Sequence, residues 1–248
     1  MKKSCGLIIV LLLIAVALYL NRAYAHIFDT ISAANLLPPP RQSAYAFGDS
    51  VGAFQRLYLA MGDSLTAGVG ANQYEETYPY LVGQSLAARY GGLSVKNSGF
   101  PGLKAVDLLG GPLNSAVSNN PQIVTLFIGI NDVYGSVNLN DFKKSYEEIL
   151  SRLTEETNAK VYAVGLPVLG SGSLLWPPYN YYFDWRTRQF NQAIKELAAK
   201  YQVIYIDLYA PLKSVLKTAG PYYAGDNFHL SAAGYALIAP LIYNGIKQ

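Results

Sequence analysis

Apolar runs that break at glycines and polar pairs recur along this chain, and stretches of helical periodicity lie between them. The first well-formed run, Leu57-Tyr58-Leu59-Ala60-Met61, ends at Gly62-Asp63-Ser64 and reads as a buried strand with a polar turn at its tip. Thr77 and Pro79 suit a helix start, Tyr80 to Tyr90 continue it, and Gly91-Gly92 stop it. Leu93 to Lys96 predicts a short strand, with a turn at Asn97-Ser98-Gly99. A weaker helical piece covers Lys104 to Val117, and Ile123 to Ile128 is a strongly apolar strand. Asn140 or Asp141 can cap a helix whose inner face is Phe142, Tyr146, Ile149, Leu150 and Leu153. Val161 to Leu166 is the next strand. Asp184 can cap a helix carrying Phe190, Ala193, Ile194, Leu197 and Ala198. Val203 to Ile206 is the last strand, and Ser231 can cap a final helix through Ile242, kinked at Pro240. No repeat of solenoid length is present.

Continuously apolar strands separated by amphipathic helices mean a parallel sheet covered on both faces, here with five countable strands. Ligands of such sheets sit at the carboxyl ends of the strands. Ser64, Gly99 and Asn131 each fall just past a predicted strand.

The N-terminus has a different pattern. Lys2 and Lys3 precede an apolar run from Gly6 to Leu20, and Ala23-Tyr24-Ala25 follows, as in a secretory signal. Cleavage after Ala25 is the expectation. An uncleaved membrane anchor is the alternative, because the run is long for a signal and short for a span. Either way the domain is secreted or extracytoplasmic, since the two lysines hold the N-terminus inside. Residues 26–56, with Pro38-Pro39-Pro40, read as a linker or packed arm, and 57–248 as the functional domain.

This division explains the charge. The formal +3 arises from 19 basic and 16 acidic residues. Lys2, Lys3 and Arg22 lie in the acid-free leader, so the remainder is neutral and offers no argument for a nucleic-acid partner. Cys5, the single cysteine, is also in the leader, which leaves the domain without a disulfide or thiolate metal ligand. A monomer is expected, with membrane proximity only through the N-terminal segment.

A serine at the tip of a buried strand is well placed as a nucleophile if a base lies within reach. The chain has two histidines. His26 sits at the expected cleavage point, so His229 is the candidate base, and Asp226 three positions earlier can hold its tautomer. Gly99 lets a backbone amide approach closely, and the Asn131 side chain can donate without ionising. With the Ser64 amide these make a three-donor oxyanion hole. Asp132 reads as structural. Gly48-Asp49-Ser50 repeats the first motif letters, but no room for a crossover helix follows before the strand at Leu57, so Ser64 is preferred.

Gly62-Asp63-Ser64-Leu65, Gly99, Gly129-Ile130-Asn131-Asp132 and Asp226-Asn227-Phe228-His229 together resemble the four blocks of the SGNH hydrolases, the GDSL esterase and lipase family. The resemblance covers Leu57 to the C-terminus. It implies a flavodoxin-like three-layer α/β/α sandwich and ester hydrolysis through an acyl-serine, with no cofactor and no metal. It also implies Ser64, Asp226 and His229 as catalytic residues, and Ser64, Gly99 and Asn131 as oxyanion donors. The G-x-S-x-G elbow of ordinary α/β-hydrolases is absent.

Tyrosine is abundant and clusters at Tyr74, Tyr78 and Tyr80 and again from Trp176 to Trp185. Trp176 and Tyr179 are the candidate substrate contacts, suited to an acyl chain or a sugar face. The expected activity is hydrolysis of lipid, lysophospholipid or short-chain acyl esters. A polysaccharide O-deacetylase is the near alternative, and a non-catalytic secreted binding domain the distant one. Acyl transfer to an acceptor other than water stays open.

Overall fold

The computed structural model describes residues 2–34, 36, 38, 39, 43–48, 56–218 and 220–247. In chain order the helices and strands are α1 Lys2–Ala33, β1 Ala44–Phe47, β2 Leu57–Gly62, α2 Ser64–Ala67, α3 Tyr78–Tyr90, β3 Leu93–Gly99, α4 Ala105–Leu108 and α5 Gly111–Asn119. They continue with β4 Ile123–Phe127, α6 Ile130–Tyr134, α7 Leu139–Glu155, β5 Lys160–Val164, α8 Tyr179–Lys200, β6 Ile204–Ile206, α9 Tyr209–Leu212 and α10 Ala232–Ile246.

The sheet runs β1-β3-β2-β4-β5-β6. β2 to β6 are parallel, as their apolar runs predict, and form the expected five-stranded body. β1 is an addition, pairing antiparallel with β3 at the edge. It is only four residues long, and its large side chains Tyr45 and Phe47 alternate with exposed Ala44 and Ala46, as on an edge strand with one wet face, so it does not read as a buried strand. α3 and α10 cover one face of the sheet; α7 and α8, with α5 against α7, cover the other. This is a three-layer α/β/α sandwich. The chain leaves β2 for β3 on one side and then returns to place β4 on the other. The crevice at that reversal is the place where such sheets bind ligands.

Several predicted boundaries shift for visible reasons. β3 extends through Gly99 because Asn97, Ser98 and Gly99 stay in register with Ala60, Met61 and Gly62, so no turn forms at Asn97. The weak helix over 104–117 splits into α4 and α5 around Leu109 and Gly110. Asn138 rather than Asn140 or Asp141 caps α7, accepting from the Asn140 amide. Asp184 does not cap α8. It lies inside the helix, where it accepts from the Tyr209 hydroxyl and pairs with Arg188 and Lys213. Ser231 does cap α10, which continues through Pro240 to Ile246.

α1 is one unbroken helix that runs past Ala25 to Ala33. Cys5–Ala33 is long and apolar enough to cross a membrane. Residues 5–19 are exposed around the whole helix, whereas Ala23 and Ile27 are fully buried against the body. Asp49, Ser50 and Val51-Gly52-Ala53, which carry the rival serine motif, lie outside the described residues.

Candidate active site

Ser64 opens α2 directly after β2, at the bottom of a crevice whose floor is backbone. Gly62 pairs with Gly99 across β2 and β3. A Cβ on Gly62 would lie 2.1 Å from the Phe127 carbonyl oxygen, and one on Gly99 would lie 2.1 Å from the Ala67 amide nitrogen. Both glycines are there because α2 and β4 press against them. The Asn97 side chain ties the same junction by donating to the Thr66 carbonyl at 2.8 Å.

The loop before α10 brings His229 over this crevice. Tyr223 and Leu230 bridge its two sides, and the Ser231 cap ends it. His229 Nε2 lies 3.0 Å from Ser64 Oγ, and Nδ1 lies 2.5 Å from Asp226 Oδ2. An ionised carboxylate only accepts, so Nδ1 carries the proton and Nε2 is free to accept from the serine hydroxyl. Asp226 is fully buried, and its Oδ1 accepts from the Phe228 and His229 amides at 3.0 and 2.9 Å. Burial alone would raise its pKa. The bond to His229, the charge of that ring and the two amides outweigh burial and leave the pKa lowered. The arrangement can therefore move a proton from Ser64 to His229 while Asp226 remains an anion.

The three expected oxyanion donors are not equivalent. The Ser64 amide stands at the first position of a helix, where no intrahelical acceptor exists. Asn131 Nδ2 donates one hydrogen to the Leu103 carbonyl at 2.9 Å, which leaves its second hydrogen for the cavity. The Gly99 amide is already donated to Asn97 Oδ1 at 2.9 Å. Of the three, the Gly99 amide alone is fully committed to another acceptor.

Two buried acids brace the floor. Asp63 caps α2 by accepting from the Leu65 amide at 3.0 Å, while its Oδ2 has no partner of good geometry. Burial, with a smaller contribution from Asp132, raises its pKa to about 7, against the opposing pull of the Leu65 and Gly129 amides. Asp132 accepts from the Ala105 amide at 3.0 Å and so ties α6 to α4. Burial raises its pKa to about 6.

Above Ser64 opens a cavity of about 550 Å³. Val69, Tyr134 and Phe228 line it together with Asn131 and His229, and Tyr24, Phe28 and Ile31 of α1 form one wall. Trp176 and Tyr179 are not among the lining residues. Trp176 stacks on His26, with ring centroids 4.1 Å apart, and the Tyr179 hydroxyl donates to the Leu20 carbonyl at 3.2 Å. Tyr179 touches the Tyr24 ring on one side and Phe183 on the other; Phe183 stacks on Tyr134, and Tyr134 meets Phe228 edge to face. Arg186 is a further site-supporting residue with no local sequence signal. It donates to the Asp132, Val133 and Val137 carbonyls, fixing the segment that carries Asn131. His26 is structural: Nε2 donates to the Ser173 carbonyl at 3.0 Å and Nδ1 accepts from Thr30.

Comparison with known proteins gives the family and the fold. The profile of the GDSL-like Lipase/Acylhydrolase family matches residues 60–237. An acetylxylan esterase of Geobacillus stearothermophilus is 28% identical over 215 residues, covering 76% of this chain and 92% of that protein. The crystal structure of a lipase/acylhydrolase from Enterococcus faecalis superposes with a TM-score of 0.64 at 26% identity, over 78% of this chain and 96% of that one. TesA superposes with a TM-score of 0.65 at 19% identity, over 77% and 98%, a likeness of fold alone.

Proposed function

The chain belongs to the GDSL-like lipase/acylhydrolase family and is a GDSL-type carboxylic ester hydrolase, and from that premise we propose that it is an extracytoplasmic serine esterase acting on esters with an apolar acyl group. The observation that carries this reading is the hydrogen-bonded series Ser64–His229–Asp226 at the base of a cavity walled by aromatic and aliphatic side chains.

Ser64 Oγ attacks the ester carbonyl carbon while its proton passes to His229 Nε2. The carbonyl oxygen becomes an oxyanion that the Ser64 amide and Asn131 Nδ2 hold. The C–O bond to the alcohol then breaks, His229 returns its proton to the leaving oxygen, and an acyl-serine remains. Water repeats the sequence: His229 takes its proton, the hydroxide oxygen bonds to the acyl carbon, and Ser64 leaves with the proton. Asp226 stays ionised throughout and stabilises the imidazolium in both halves. Tyr179 supports the cavity wall through Tyr24 and Phe183 rather than touching the acyl group.

A second reading, O-deacetylation of a polysaccharide, is favoured by the 28% identity to an acetylxylan esterase. One panel separates the two: a phospholipid, an acylglycerol and an acetylated sugar, assayed with wild type and Ser64→Ala. Ser64-dependent release of fatty acid supports the first reading, and release of acetate alone supports the second. If no ester in the panel turns over and a serine-directed phosphonate fails to label Ser64, both readings fail.

A further inference from the structure

We infer that α1 is a retained membrane anchor whose stem completes the substrate cavity, so that the enzyme takes its acyl chain from the bilayer it is rooted in. This rests on the esterase reading and deepens it. The family profile begins at residue 60, so nothing in the family's shared sequence supplies this wall.

The helix has two halves of different character. From Leu7 to Leu18 its large side chains are half or more exposed among the described residues. From Leu20 onward it docks. Leu20, Ala23, Ile27 and Ile31 recur at the three- and four-residue spacing of one helix face, and Ile27 is part of the main hydrophobic core. The join is made at several points: the Tyr19 hydroxyl donates to the Pro177 carbonyl at 2.7 Å, the Tyr179 hydroxyl bonds the Leu20 carbonyl, and His26 is held between Trp176 and Ser173. A cut after Ala25 would remove buried Ala23 and the Tyr24 part of the wall, in the middle of a continuous helix.

The helix ahead of Tyr19 rises about 26 Å at ~1.5 Å per residue. Its apolar part, from Gly6 to Leu18, rises about 20 Å, short of the ~30 Å hydrocarbon core, a mismatch that local thinning of the bilayer accommodates. The body then sits directly on the membrane surface. Exposed Tyr181, Tyr182 and Trp185 lie in the first turns of α8, just after the Tyr179 bond to Leu20, where an interfacial aromatic belt would stand. Tyr24 and Phe28, the cavity wall, follow Tyr19 by roughly 8 to 14 Å of helix rise. An acyl chain can reach Ser64 from there with its tail still in lipid. Tyr24, Phe28 and Ile31 share one helix face toward the cavity, and the Tyr24 and Phe28 rings are only partly covered, as rings awaiting a ligand would be.

The test uses the full chain, extracted from membranes in dodecylmaltoside and assayed on p-nitrophenyl acetate and p-nitrophenyl decanoate. Phe28→Ala is expected to lower the decanoate-to-acetate ratio of kcat/KM roughly tenfold, the effect of removing apolar contact from one side of a chain. Tyr24→Ala should act in the same direction, and Phe28→Leu should restore most of the ratio. Intact mass should show residues 1–25 present. An unchanged ratio in both alanine variants, or a chain beginning at His26, overturns the inference while leaving the esterase reading standing. A wild type that cleaves neither ester overturns the esterase reading, and with it the acyl part of this one.

Discussion

His229 Nε2 lies 3.0 Å from Ser64 Oγ across a separation of 165 positions in the chain. The contact exists because β2 ends, and the loop before α10 folds, at the same crevice. If the pair works as one unit, Ser64→Ala and His229→Ala should each lower turnover by roughly a millionfold, and the double variant should be no slower than either. Additive losses in single-turnover assays would break the assignment. Asp226→Asn should cost roughly ten-thousandfold, because an amide cannot hold the same tautomer.

If Asn131 is an oxyanion donor as proposed, Asn131→Ala should lower kcat by about a hundred- to a thousandfold with little change in KM, since its free hydrogen would meet charge that develops only in the transition state. Steady-state kinetics on a soluble short-chain ester measure this directly. A loss confined to KM would make Asn131 a ground-state contact instead.

Stability should fall as pH rises from about 4 to about 7. In that window the folded protein keeps a proton on Asp63, whose pKa is raised to about 7, that the unfolded chain with its carboxyl near 4 has already released. Asp132, raised to about 6, acts in the same direction. The lowered pKa of Asp226 has the opposite sign, and its contribution is lost only as pH drops below about 4. Thermal melts of wild type should therefore decline between pH 5 and pH 8, and Asp63→Asn should flatten that decline. Parallel curves for the two proteins would rule the account out.

Arg186→Met should lower kcat about tenfold by loosening the segment that carries Asn131, a displacement of the kind that is costly in a preorganised site. Lysine should not rescue it, because one ammonium cannot reproduce a planar fork that reaches three carbonyls. Full activity in Arg186→Lys would show that charge alone suffices.

What could be read from the sequence follows from locality. β2 and β4 are continuous apolar runs, and Ser64, Asn131 and His229 stand in short motifs at their ends or in the last loop, so pattern and motif single out residues that the fold brings to one crevice. β1 escaped because Ala44–Phe47 alternates and pairs only at the sheet edge. The commitment of the Gly99 amide to Asn97 depends on backbone direction, which no spacing encodes. Arg186 and the docking of Tyr19, Leu20 and His26 on residues 173–179 join distant segments with no shared motif. The same docking draws Trp176 and Tyr179 away from the cavity lining, where their aromatic character alone would have put them.

The facing glycines, Gly62 and Gly99, set the terms on which this protein can diversify. With no clearance for even a methyl group at either position, the floor beneath the serine admits no variation. New preferences must be acquired in the walls. One of those walls is a stretch of helix outside the matched family core, so substituting Tyr24, Phe28 and Ile31 would be the shortest experimental route to altering what the enzyme accepts while its chemistry stays fixed.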